Sequence, residues 1–149
     1  MKGKKIITAA AFGIYALAMC ILLFGRHPSY YRMINLVPFK TVVKYAGYLI
    51  DGGYMFRHAV INLFGNIGMF IPLGFFLSAI WGKLRRFLPH LLTTAVIIVA
   101  VEILQILTYT GTADIDDLIL NVVGSALGFG LYKVYEVIKN RIIKKKSEK

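Results

Sequence analysis

HAVINLFGNIGMFIPLGFFLSAIWG, residues 58–82, carries a single readily titrated side chain, His58 at its start. A helix needs roughly 20 apolar residues to cross a hydrocarbon core of about 30 Å, and this run is long enough. Three more runs share its character: Ile6–Phe24, Leu88–Tyr109 and Asp114–Ile138. The chain has 149 residues, 58% of them hydrophobic, with a mean hydropathy of +0.67. Four such runs leave too little polar surface to wrap a soluble core. The expected fold is an all-α membrane protein, a single domain over 1–149 with four transmembrane helices at about 6–24, 58–82, 88–109 and 114–138. The first run exceeds a signal-peptide core of about 7–15 residues. It is therefore read as an uncleaved span, despite the basic MKGKK (1–5) and the lipobox-like ALAMC (16–20).

The net charge of +11 does not point to nucleic acid, because the cations gather at the ends of apolar runs, where they set topology. Lys2, Lys4 and Lys5, then Lys83, Arg85 and Arg86, then Lys139, Arg141 and Lys144–Lys146 all fall on one side of an even number of spans. Both termini are thus expected in the cytoplasm, with a basic tail at 139–149 fraying into solvent. The one cysteine, Cys20, reads as a small packing residue.

Residues 25–57 then form an outer loop that is unusually basic (Arg26, Arg32, Lys40, Lys44, Arg57) and aromatic. Lys40 and Lys44 stand one helical turn apart beside Val42, Val43 and Ala46. This spacing predicts an amphipathic helix lying in the interface, started by Pro38 and ended by Gly52-Gly53. Its cations suit lipid headgroups or the anionic head of a ligand.

Polar residues inside the spans form stripes. His58, Asn62 and Asn66 share one face of the second helix; Glu102, Gln105 and Tyr109 share one of the third; Asp114, Asp117, Asn121 and Ser125 share one of the fourth. By the expected topology all three stripes lie in the outer half. Polar groups facing lipid are costly, and a carboxylate such as Glu102 costs about 2.5–3.5 kcal/mol at mid-membrane unless it is paired, hydrated or protonated. The stripes should therefore turn toward one another as a polar pocket roofed by the 25–57 loop. A purely structural reading stays open. Asp114 fits a helix N-cap with Asp116 and Asp117 in the first turn, where the dipole favours anions. Glu102 on that reading is a structural acid bonded to Asn62 or Asn66. Gly124 and Gly128 form a G-x-x-x-G that favours close helix approach, within the chain or in a homodimer. Pro72 is expected to kink the second helix. NLFGNIGMF (62–70) aligns weakly with NVVGSALGF (121–129), as two related hairpins would.

INLVPF (34–39), NLFGNIGMFIPLGFFL (62–77), VEILQ (101–105) and DIDDLILNVVGSALGFGLY (114–132) together resemble the VanZ-like family of bacterial membrane proteins, over almost the whole chain from about residue 34. The resemblance implies Asn62, Asn66, Pro72, Gly74, Glu102, Gln105, Asp116, Asp117, Asn121, Gly124 and Gly128 as signature positions, and a link to teicoplanin resistance. Thr110-Gly-Thr-Ala113 stands where many members carry an Arg. If that Arg binds an anion elsewhere, a loop cation takes its place here or the ligand differs.

The function expected is a non-catalytic envelope protein of the bacterial cell membrane. It would bind an amphiphile, a lipid-linked wall precursor or a lipoglycopeptide, at the outer leaflet and contribute to glycopeptide resistance. The ligand residues expected are Asn62, Asn66, Glu102, Gln105, Asp116, Asp117 and Asn121, with Arg32, Lys40 and Lys44 on the loop; no cofactor is expected. The alternative is a membrane-embedded enzyme holding Mg²⁺ on Asp114, Asp116 and Asp117 against a lipid phosphate or pyrophosphate. Glu102 or His58 would then be the base, with Asp117 in the catalytic set. A small transporter is a third reading, weakened by the absence of acids in the inner half.

Overall fold

A computed structural model describes residues 2–25, 34–111 and 113–147. Arg32 and Thr112, both part of the sequence argument, lie outside them. Five helices account for nearly all the described chain: α1 (Lys2–Phe24), α2 (Lys40–Asp51), α3 (Phe56–Ile80), α4 (Phe87–Leu107) and α5 (Ile115–Ser147). A 3₁₀ turn, Gly82–Arg85, joins α3 to α4. Two two-residue strands, β1 (Ile34–Asn35) and β2 (Ala113–Asp114), pair in parallel, Ile34 opposite Ala113 and Asn35 opposite Asp114. This pairing was not foreseen in an all-helical reading.

Four helices, α1, α3, α4 and α5, are long and apolar enough to cross a membrane. The distribution of side chains agrees. Ile6, Ile14, Leu17, Ile61, Phe64, Leu92, Val96 and Leu127 are exposed on the outside of the bundle, while Ser78, His90, Thr94, Asp116 and Ser125 are fully buried inside it. A water-soluble protein sorts its residues the other way. Cys20, expected to pack, faces outward from α1.

The frame is set by α3 and α5, which run parallel and share the largest interface in the molecule. Gly74, Gly124 and Gly128 make it possible. A Cβ at Gly124 would be driven into the carbonyl oxygen of Ile67, one at Gly128 into that of Ile71, and one at Gly74 into that of Ser125. The G-x-x-x-G surface is therefore met by α3 of the same chain. Gly65, which aligns with Gly124 in the weak repeat, has no comparable neighbour, so the two segments do not pack as equivalents. α3 continues through Pro72 as one helix.

The α4 helix runs antiparallel to α5, with Phe87 against Phe129 and His90 against Ser125. The α1 helix runs antiparallel to α3: Tyr15 donates to the Met69 carbonyl at 2.8 Å and Phe12 meets Trp81 edge-on. Met19, Leu23, Phe70, Leu73, Leu77 and Ile98 form the apolar core between them. The far end of the last helix departs from expectation. α5 does not fray at Lys139 but continues to Ser147, its cations being good helix formers placed at the end the dipole favours. The helix expected within 25–57 is α2, which packs on α3 and ends at Gly52 in the left-handed conformation.

Candidate functional site

The three aspartates of DIDD do three different jobs. Asp114 caps α5, its Oδ1 accepting from the Asp116 backbone N–H at 2.9 Å, as the cap reading expected. Its oxygens also accept from Asn35 Nδ2 at 3.0 Å and from the Thr41 hydroxyl. Asp116 turns away from its own helix. Fully buried, it accepts the backbone N–H groups of Phe39, Thr41 (2.7 Å) and Val42 (3.0 Å). These are the orphan donors at the start of α2, which has no side-chain cap of its own. A carboxylate 75 residues away in sequence thus supplies the missing cap. It also holds Phe39 in a left-handed conformation, φ 64°, that a residue with a Cβ seldom adopts. Asp117, one residue on, faces α3 and accepts from Asn66 Nδ2.

Behind Asp117 lies the polar seam the stripes predicted. Glu102 of α4, half-buried, is within electrostatic reach of Asp117 and Asp114. Asn121 follows Asp117 by one turn and Asn62 precedes Asn66 by one turn; the Oδ1 atom of each is buried without a hydrogen-bond partner among the described residues. The seam joins Asn66, Asp117 and Glu102 from three helices at one end of the bundle. Its roof is the α2 end of the loop segment.

Other expected members lie elsewhere. Gln105 is buried but donates to the Leu23 carbonyl at 3.2 Å, tying α4 to the end of α1. His58 is exposed beside Tyr54 at the start of α3. Lys40 and Lys44 are exposed on α2, Lys44 lying over the Tyr48 ring. The donor set expected for Mg²⁺ does not fit: the oxygens of Asp114 and Asp116 are committed to five protein donors besides the α5 cap. Among the described residues no group of three or more His, Cys, Asp or Glu converges as metal ligands.

A second polar cluster escaped the sequence reading. His90 Nδ1 lies 3.3 Å from Ser78 Oγ, His90 Nε2 lies 3.1 Å from Ser125 Oγ, and Thr94 Oγ1 lies 3.0 Å from the same hydroxyl. Ser78 also donates to the Gly74 carbonyl at 3.1 Å. All four side chains are fully buried, so the cluster links α3, α4 and α5 without access to a ligand. Toward the opposite end from the acids, an open apolar hollow is lined by Leu77, Trp81, Leu84 and Ile97. Its mouth carries Lys83.

The order of these features along the chain, from α1 through the Asn66–Asp117 seam to the end of the apolar part of α5, matches the VanZ/LLP1 family model over residues 12–138. The chain belongs to the VanZ/LLP1 family. It is a multi-pass membrane protein. Protein VanZ of Enterococcus faecium is 30% identical to it over 101 residues, covering 68% of this chain and 53% of that protein. The chain thus spans about half the length of that relative. No solved structure matches. Of the positions the resemblance implies, Asn66, Glu102 and Asp117 meet in the seam with Asn62 and Asn121 one turn away, whereas Asp116 anchors α2 and Gly74, Gly124 and Gly128 set the α3–α5 contact.

Proposed function

We propose that this protein is a non-catalytic component of the bacterial cell membrane that binds an amphiphile at the outer leaflet, and that it contributes to glycopeptide resistance of the teicoplanin type. The amphiphile is a lipid-linked wall precursor or a lipoglycopeptide. The observation that carries the reading is the seam itself: Asn66 bonded to Asp117, with Glu102 beside them, at the end of the bundle where α2 is docked. A helix that exposes Lys40, Lys44, Val43 and Ile50 suits the headgroup layer, its apolar side chains entering lipid and its cations meeting anionic heads.

The opposite end supports the orientation with both termini cytoplasmic. Arg85 pairs with Glu136 at 3.6 Å, and Lys83, Arg85 and Arg86 share that end with the basic part of α5 and the start of α1. Positive residues in short loops mark the cytoplasmic side. A Mg²⁺-dependent reaction on Asp114, Asp116 and Asp117 is disfavoured because it would strip α2 of its cap.

The test is teicoplanin and vancomycin susceptibility in a Gram-positive host expressing wild type, Glu102→Gln and Asp117→Asn at equal membrane abundance. Raised teicoplanin tolerance with wild type and its loss in both variants is the expected result. Full tolerance in both variants would remove the seam from the function.

A further inference from the structure

The chemistry of the seam specifies what part of an amphiphile enters it. Three acceptors there lack a donor among the described residues: the Glu102 carboxylate, Asn62 Oδ1 and Asn121 Oδ1. Asn121 is 4% exposed, so water does not readily replace the missing partner. The residues facing Glu102 add negative charge, since Asp117 and Asp114 act on it as like charges. The neighbouring carboxamide donor, Asn66 Nδ2, is already committed to Asp117. A buried oxygen without a hydrogen bond costs about 1–3 kcal/mol, and native proteins carry few of them. With two such oxygens and the Glu102 carboxylate distributed over three adjoining helices, the seam is short of both hydrogen-bond donors and positive charge.

We propose that the seam receives a primary ammonium group. An –NH₃⁺ offers three donors and no acceptor, which suits a seam whose acceptors lack donors, and it supplies the missing charge. A phosphate or pyrophosphate head would bring more acceptors and more negative charge to the same place. The anionic part of a zwitterionic amphiphile would sit instead toward Lys40 and Lys44 on α2. This inference deepens the amphiphile reading and rests on it for the placement of the seam at the outer face.

The test uses the full chain in phosphatidylcholine nanodiscs and equilibrium binding of radiolabelled dodecylammonium, with empty nanodiscs subtracted. Saturable binding is expected, weakened at least about tenfold in Glu102→Gln and in Asn62→Ala, as loss of one charge-assisted bond implies. Dodecyltrimethylammonium, with the same charge and no N–H, should compete at least about tenfold less well. Dodecyl phosphate should not compete. Competition by ethylammonium chloride would support a free amine as the natural ligand, and its failure a chain-bearing ammonium; both uphold the chemistry. The proposal is overturned if Glu102→Gln binds dodecylammonium as wild type does while the variant's thermal unfolding is unchanged. Equal competition by the trimethyl analogue would also overturn it, since charge alone would then suffice. Saturable binding of dodecyl phosphate or dodecanol without binding of dodecylammonium would overturn the ammonium assignment and leave the amphiphile reading standing. A seam that binds none of these probes while the Glu102→Gln and Asp117→Asn variants still lose tolerance would do the same.

Discussion

Replacing Asp116 by Ala should release the start of α2 while leaving the transmembrane bundle in place. Its carboxylate accepts the amides of Phe39, Thr41 and Val42. Bonds to a charged acceptor contribute about 1.5–3 kcal/mol each when the donor cannot find another partner. Phe39 is 57% exposed, so its amide regains water in the variant; Thr41 and Val42 are half-buried and do so poorly. Two bonds at about 1.5 kcal/mol each give about 3 kcal/mol, or roughly a 150-fold rise in local opening. Amide hydrogen exchange at Thr41 and Val42 in nanodiscs reads this directly. Asp116→Asn can keep its amide oxygen on the Thr41 and Val42 N–H groups, which share Oδ2, with its –NH₂ against the Phe39 N–H; with neutral in place of charge-assisted bonds, about half that free energy should be lost. Asp117→Asn, which faces Asn66, is the control and should leave both amides protected. A change of less than about threefold in Asp116→Ala would refute the capping account, because even one neutral hydrogen bond contributes about that much.

Gly128→Val should prevent stable α3–α5 packing and lower thermal stability in detergent by several kcal/mol, since overpacking alone costs about 1–3 kcal/mol and here the obstacle is backbone. Gly130→Val, in open space and exposed, should be nearly neutral in the same melt. Ser125→Ala removes partners from both His90 and Thr94. A double-mutant cycle with His90→Ala should give a coupling of about 0.5–1.5 kcal/mol by steric-trap unfolding, the range of buried polar contacts between membrane helices. Coupling near zero would mean that the cluster is incidental.

The spans were legible because their signal is local: an apolar run of sufficient length needs no knowledge of its neighbours. α2 was legible for the same reason, through the spacing of Lys40 and Lys44 and the terminating Gly52. The facing of Asn66, Asp117 and Glu102 followed from depth and helical period together. Asp116 was not legible as an anchor, since its partners are backbone amides more than 70 residues away, and the first turn of a helix already offered an adequate reason for an acid. Gln105 was misplaced into the seam because helical phase alone did not distinguish the side facing α1 from the side facing α5. His90, Thr94 and Ser78 passed unnoticed because serine and threonine in an apolar helix can bond their own backbone, as Ser78 does to Gly74, and so demand no distant partner. The glycines of α5 left a related ambiguity. A G-x-x-x-G shows that some helix approaches closely, not which one.

The anchoring of α2 also has a consequence in time. Thr41 and its carboxylate are separated by 75 residues. At about 5–20 residues per second, a ribosome takes roughly 4–15 s to make the intervening chain. During that interval α3 and α4 are already available for insertion, while the start of α2 lacks its anion. The connection between the first two spans therefore settles only once the fourth span has begun to arrive. A chain truncated before Asp116 would keep α2 in place only through its packing on α3.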